Sequence, residues 1–126
     1  MRFFHPTEYY KFEIPDAWLM AARANNFIPQ EQAFTPVFDP EWPSTLVDAL
    51  QITQTHTGPG MPQFDEARMV SVLRDMVKGA PLPAIWCSRD TPDGKLVLRH
   101  GRHRFHAAVA LKFKKIPVSI RPHFEI

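Results

Sequence analysis

The clearest periodicity in the chain predicts an amphipathic helix over residues 65–78. Apolar residues recur there at the i, i+3, i+4, i+7, i+8 spacing that places side chains on one buried stripe: Met69, Val72, Leu73, Met76 and Val77. Asp65 is a favourable N-cap, and Phe64 can pack onto Met69 as a hydrophobic staple. Gly79 is the residue type that most often ends a helix.

Short apolar runs and turn residues follow this helix and predict strands. Residues 83–99 predict a hairpin with a turn at 91–94. A helix from about residue 102 to 111 and a last strand over 116–120 complete the pattern. Pro117 lacks an N–H, so it favours an edge position for that strand, or an unpaired side there. We expect an α+β domain with the following core residues: Met69, Leu73, Met76, Ile85, Val97, Phe105, Val109 and Val118.

The first 43 residues have a different composition. They contain six of the 13 prolines, so long regular elements are not expected, and one short helix is predicted over residues 16–23, after Pro15. We divide the chain into an arm, residues 1–43, that packs on the core, and a domain of residues 44–126. The aromatic residues that favour a packed arm are Phe27, Phe34, Phe38 and Trp42.

Composition favours one soluble domain. The chain has 126 residues, of which 44% are hydrophobic and 22% charged. No apolar run approaches the ~20 residues that a membrane helix needs, so no membrane partner is expected. The N-terminus does not resemble a signal peptide, and Cys87 is the single cysteine. A cytoplasmic protein is the simplest expectation.

Charge is distributed unevenly along the chain. Residues 1–64 contain 3 lysines and arginines against 7 aspartates and glutamates, a net charge of −4. Residues 65–126 contain 12 against 6, a net charge of +6. A basic half favours an anionic partner, either a nucleotide or nucleic acid. Alternatively, the two halves attract each other.

The most basic segment coincides with a predicted helix start. Residues 99–106 contain three arginines, three histidines and no acid. Exposed cations at a helix N-terminus cost ~0.3–1 kcal/mol each, and a bound anion removes that conflict. Gly101 lets the backbone approach a phosphate closely. We therefore predict a phosphate-binding turn at Gly101, Arg102, His103 and Arg104. Two alternatives to phosphate binding remain. The arginines could be solvated or paired with acids. The three histidines could bind zinc, although no Cys or acid lies nearby to complete the site.

Four segments carry a resemblance by their order and spacing: FDEAR at 64–68, KGAPLPAI at 78–85, DGKLVLRHGRHRFHAA at 93–108 and IPV at 116–118. They resemble the ParB N-terminal/sulfiredoxin-like superfamily. This superfamily includes proteins labelled ParB-like nucleases. The resemblance covers about residues 44–121 and implies a small mixed sheet packed with helices. It also implies that the phosphates of ATP, ADP or CTP bind on the Gly-x-x-Arg turn.

The resemblance assigns nucleotide contacts to Arg68 and Ser71 on the preceding helix and to the His103–Arg104 pair. A helical count of 100° per residue places Arg68 and Ser71 on one flank outside the apolar stripe, which is compatible with this. Arg102 stands where sulfiredoxins have their reactive cysteine and ParB proteins a glutamate used for the metal of the nucleotide. This departure argues against sulfiredoxin chemistry and against metal-assisted CTP hydrolysis.

Three functions remain in competition. The first is a stand-alone domain that binds ATP or CTP, with Mg²⁺ as a possible companion and phosphoryl transfer or hydrolysis as a possible activity. His56 and Thr57, in a loop over residues 54–60, would face the same pocket, although His56 could be an ordinary loop residue. The second is a nucleic-acid-binding module with or without nuclease activity, although clustered acids for a metal are lacking. The third is a non-enzymatic interaction protein whose arm docks a partner, covers the pocket or forms a homodimer. A helix-turn-helix domain is not expected before the chain ends at Ile126.

Overall fold

A computed structural model of the chain describes residues 2–4, 11–24, 27, 32–54, 64–89 and 94–122. These residues form seven strands, three α-helices and a 3₁₀ turn over Ala49–Gln51. In chain order the elements are β1 (Arg2–Phe4), β2 (Lys11–Glu13), α1 (Asp16–Ala21), β3 (Ser44–Asp48), β4 (Ile52–Gln54), α2 (Glu66–Lys78), β5 (Ile85–Ser88), β6 (Leu96–His100), α3 (Arg102–Ala110) and β7 (Lys115–Ile120).

The main sheet is mixed and has the strand order β3-β7-β5-β6-β4. The β3–β7 and β5–β6 pairs are antiparallel, whereas the β5–β7 and β4–β6 pairs are parallel. β1 and β2 form a separate antiparallel pair. The predicted α+β class and the predicted hairpin, now β5 and β6, are confirmed.

Helix α2 forms where the periodicity predicts it. The Asp65 carboxylate accepts a hydrogen bond from the Arg68 N–H at 2.9 Å and caps the first turn, while Gly79, with φ of 74°, ends the helix in the left-handed conformation. Met69 and Leu73 are fully buried, so the predicted register is correct. α2 packs against α1 and α3.

Most of the predicted core is buried. Seven of the eight predicted residues have relative exposures of 5% or less. Val109 is the exception, because it packs against the core from its rim and is only partly buried. The seven buried residues are Met69, Leu73, Met76, Ile85, Val97, Phe105 and Val118.

Part of the N-terminal segment lies in the same hydrophobic cluster as the helices and the sheet. Phe12 is fully buried, and its ring meets that of His106 edge-on at a centroid distance of 4.8 Å. Helix α1 begins after Pro15, as predicted. The Ala33 N–H donates a hydrogen bond to the Lys115 carbonyl at 2.9 Å, which attaches this segment to β7. The division of the chain at residue 43 stays a prediction.

The edge position predicted for the last strand is wrong, whereas the alternative, an unpaired side at Pro117, is confirmed. β7 lies between β3 and β5, and β3 and β4 are the edge strands of the main sheet. Pro117 pairs in register with Leu46 of β3, and the ladder with β5 begins one residue later, at Val118. The proline therefore precedes the ladder with β5 rather than interrupting it. The predicted turn at 91–94 falls mostly outside the described residues. Within the described ranges, every helix is too short or too polar to cross a membrane.

Candidate functional site

Gly101 forms a sharp turn between β6 and α3 that no other residue could adopt without strain. It is the N-cap of α3, with φ of 107° and ψ of 33°. A Cβ at this position would lie 2.8 Å from Cγ2 of Ile85 and 2.9 Å from Nη2 of Arg104. The missing side chain therefore lets the Arg104 guanidinium fold back against the turn.

The backbone N–H groups in the first turn of α3 have no capping side chain. This turn contains no acidic residue, and Gly101 provides no side-chain cap. The first N–H groups of a helix have no partner inside the helix, so they are free to donate to an external acceptor. An anion is the ligand that this arrangement favours.

Arg104 strengthens that preference. Its Nε is buried and has no hydrogen-bond partner among the described residues. Burial lowers the pKa of Arg104, although a guanidinium stays protonated at physiological pH. A buried donor without a partner costs about 1–3 kcal/mol, so a bound acceptor would recover free energy here.

The turn forms one wall of a cleft of about 990 Å³, and the first half of α2 forms the other. Arg68 and Ser71 line it from α2, and six of the eight predicted site residues meet here. The other two, His56 and Thr57, lie outside the described residues. The six are Arg68, Ser71, Gly101, Arg102, His103 and Arg104.

Arg99 also lines the cleft, although it is not among the predicted site residues. Cys87 pairs with Leu98 and Trp86 with His100, so Arg99 is the extra residue of a β-bulge. A bulge changes the direction of a side chain relative to the strand alternation. The Arg99 Nε donates to Oγ of the buried Ser88 at 2.9 Å. Its membership of the basic run at 99–106 was the signal that could have identified it.

His103 has a partner outside the phosphate turn. Its Nε2 accepts the backbone N–H of Asp65 at 3.0 Å, which ties the start of α3 to the start of α2. This bond requires an unprotonated Nε2, and so a neutral ring with the proton on Nδ1. Burial, Arg102 and Arg68 lower the pKa of His103, and Asp65 opposes them only in part. His103 therefore holds the two walls of the cleft together.

The three histidines of the basic run lie in different environments. His106 is fully buried, and its Nδ1–H donates to the Arg102 carbonyl at 2.8 Å, while His100 is exposed at the end of β6. Within the described residues, no three His, Cys, Asp or Glu side chains are placed to hold a metal ion. The zinc alternative therefore has no geometric support in this part of the chain.

Three arginines of the cleft are not paired with acids in the part of the chain that the structure describes. No carboxylate there lies within ion-pair distance of Arg68, Arg102 or Arg104. Elsewhere, Lys115 pairs with Asp48 and Arg121 pairs with Asp39. The Arg102 guanidinium instead stacks over the Phe64 ring, 5.7 Å from its centroid.

Cys87 lies outside this cleft. It is fully buried on β5, and burial raises its pKa to about 12. A protonated, inaccessible thiol is a core residue rather than a nucleophile.

Comparison with known proteins identifies the fold. No family model matches the chain, and no curated protein matches it. A solved structure of C-terminally truncated ParB, the chromosome-partitioning protein of Caulobacter crescentus, complexed with CTP-γ-S, matches with a TM-score of 0.51 and 21% identity. The match covers 65% of this chain and 46% of that one. This chain has a ParB-like fold.

A second structure of the same ParB, complexed with the centromeric parS site, gives a TM-score of 0.49 and 19% identity over 65% of this chain and 41% of that one. This chain therefore corresponds to less than half the length of the ParB chains that it matches. The ParB-like fold agrees with the small mixed sheet and packed helices described above.

Proposed function

We propose that this protein binds a nucleotide, ATP or CTP, through its phosphates in the cleft between α2 and the Gly101 turn. The observation that carries the proposal is the buried, unpartnered Nε of Arg104 beside the uncapped first turn of α3. A buried donor without a partner costs free energy, and an acceptor atom of a bound ligand would recover it.

Each wall of the cleft has a role in this proposal. The N–H groups of residues 102–104 and the fork of Arg104 bind the terminal phosphates, because a guanidinium matches two phosphate oxygens at once. Arg68 and the hydroxyl of Ser71 contact the phosphates from α2. His103 positions the two walls by its bond to the Asp65 N–H.

The size and lining of the cleft support a ligand larger than phosphate. Its volume of about 990 Å³ lies at the upper end of the range of small-molecule sites. Ala67, Val72 and Leu98 add apolar surface next to the arginines, which suits a nucleoside. The ParB structure complexed with CTP-γ-S has this fold, which adds support at the level of the fold.

Binding is the function that the described residues support. Phosphoryl transfer or hydrolysis would also need a base. In the lining that the structure describes, the Nε2 of His103 is already an acceptor, no carboxylate is present, and His100 is the remaining histidine. His56, in the undescribed segment before α2, is the candidate base that the sequence offers. Phosphate release measured for the native chain and for His56→Ala tests this further step.

Magnesium does not fit the described lining as a protein-bound ion. Mg²⁺ prefers oxygen ligands, usually carboxylates together with phosphates, and Ser71 has the only side-chain oxygen in this lining. We therefore assign no step to a metal.

The direct test is calorimetric titration with ATP, ADP, CTP and GTP. We expect Arg104→Ala to lose about 1.5–3 kcal/mol of binding free energy, the usual value for a hydrogen bond to a charged group. Arg104→Lys should also weaken binding, because it keeps the charge but loses the fork. Folding should stay intact, since the change removes a cation from a positive helix end.

The matched control is Arg74→Ala. Arg74 is an exposed arginine of α2 that bonds to the Ala21 carbonyl and lies outside the cleft. It should bind nucleotide as the native chain does. Equal binding by native protein and Arg104→Ala, or no binding of any nucleotide by the native chain, would remove the proposal.

A nucleic-acid partner is the second candidate, and the observation in its favour is the exposure of Arg68 and Arg102 in a half of the chain with a net charge of +6. Fluorescence anisotropy with single- and double-stranded DNA at several salt concentrations tests it. Salt-dependent DNA binding without nucleotide binding would favour this candidate over the first.

A further inference from the structure

The charged side chains that line the described part of the cleft are arginines without acids, and this affects how a polyphosphate binds. Four arginines line it, Arg68, Arg99, Arg102 and Arg104, and no aspartate or glutamate does so among the described residues. The undescribed segment that precedes α2, residues 55–63, contains no aspartate or glutamate in its sequence.

The carboxylates near the cleft in sequence have other positions. The Asp65 carboxylate accepts a hydrogen bond from the Arg68 N–H as the cap of α2. Glu66 and Asp75 lie on α2 but do not line the cleft. Apart from the ring nitrogens of His100 and His103, the lining therefore offers one side-chain acceptor for a metal-bound water, the Ser71 hydroxyl.

A hydrated magnesium ion is a poor companion for this lining. Mg²⁺ on a nucleotide keeps several waters, and proteins usually bind it through one or two carboxylates together with the phosphates. Guanidinium groups have no acceptor, so they can neither coordinate the ion nor receive the hydrogen bonds of its waters. The ion would also occupy phosphate oxygens that arginine forks would otherwise bind, and it would add positive charge to an already cationic cleft.

We infer that this cleft selects the metal-free polyphosphate, so that magnesium weakens nucleotide binding instead of supporting it. The inference rests on the proposed function and adds which form of the nucleotide the cleft prefers, metal-free or magnesium-bound. Arg102 takes the neutralising role that a metal has elsewhere. It is the first residue of α3, and stacking on Phe64 holds its guanidinium beside the turn.

The experiment is calorimetric titration of the full chain with ATP, with CTP and with inorganic tripolyphosphate, each in EDTA and in saturating magnesium. Ionic strength is held constant with sodium chloride, because added salt alone screens the arginines. We expect the Kd to be about tenfold or more lower in EDTA, which corresponds to about 1.4 kcal/mol. Tripolyphosphate should show the same preference, since the phosphates carry it.

Arg102→Glu supplies the carboxylate that the lining lacks. We expect it to lose binding in EDTA and to reverse the preference, so that magnesium lowers its Kd. An acid in the first turn of a helix is favourable, so the variant should fold. Lys114→Glu is the control, because it makes the same change of charge at an exposed residue outside the cleft. It should keep the native preference for EDTA.

The outcomes separate this inference from the function on which it rests. Nucleotide that binds the native chain equally well or more tightly with magnesium would overturn the inference and leave nucleotide binding standing. No binding under either condition would overturn the proposed function itself. A native preference for EDTA that Arg102→Glu does not change would show that Arg102 is not the residue responsible.

Discussion

The Gly101 turn makes the most demanding prediction, because two separate penalties act on Gly101→Ala. The residue has φ of 107°, which an L side chain rarely adopts, and this costs about 1–3 kcal/mol. The new Cβ would also lie 2.8 Å from Cγ2 of the fully buried Ile85. Overpacking of this kind costs about 1–3 kcal/mol. We therefore expect a loss of about 2–6 kcal/mol in the free energy of unfolding.

Gly79→Ala separates the two penalties. Gly79 also has a positive φ, 74°, but a Cβ there would meet nothing within 4 Å. It should lose only the conformational part, about 1–2 kcal/mol. The assay is equilibrium unfolding in urea at one temperature, with the m-value checked for two-state behaviour.

The same variants also test the site. A Cβ on Gly101 would lie 2.9 Å from Nη2 of Arg104, so the guanidinium must move and nucleotide binding should weaken, whereas Gly79→Ala should bind normally. If Gly101→Ala and Gly79→Ala lose the same stability within about 0.5 kcal/mol, the close approach of the turn to Ile85 is refuted.

Three further predictions follow from the described contacts. Burial and neighbouring cations lower the pKa of His103 from 6.5, so its neutral form stabilises the fold above pH 6.5 and stability is lost as the pH falls below that value. Urea unfolding between pH 5 and 7.5 should show a smaller loss for His103→Gln, which keeps an acceptor but does not titrate; equal slopes would contradict this. Phe12→Ala should cost about 3–5 kcal/mol, because Phe12 is fully buried, and a loss below about 1 kcal/mol in urea unfolding would show that the N-terminal segment packs only loosely. Cys87, with a pKa raised to about 12, should react with a thiol reagent at pH 8 only after unfolding, and rapid reaction of the native chain would show that β5 is accessible.

Local patterns were sufficient for the helices and the hairpin. The stripe of α2, its cap at Asp65 and its end at Gly79 all depend on residues within a few positions of one another, so the sequence alone predicted the element and its register. The basic turn was predictable for the same reason. Gly101, Arg102 and Arg104 lie within a few positions of one another, and the unfavourable placement of the two arginines at a helix N-terminus can be inferred without the fold.

Strands β3 and β4 could not be predicted in this way. Each is short, and β4 has three residues, so neither shows enough alternation to stand out. Their partners are far along the chain, since Val47 pairs with Ile116 and Thr53 with Val97. The same distance explains the error at Pro117, because a neighbour contributed by a remote strand leaves no local signal.

For the candidate site, too, some features were predictable from the sequence and others depend on the tertiary structure. Sequence determined which residues carry its charge, and the resemblance to ParB-like proteins added Arg68 and Ser71 as members. Only the tertiary structure decided that Arg104 Nε is buried without a partner, that a bulge turns Arg99 toward the cleft, and that His103 accepts the Asp65 N–H from 38 residues away. Burial and hydrogen bonding at these atoms depend on groups brought together by packing, whereas charge and helix polarity are properties of the local chain.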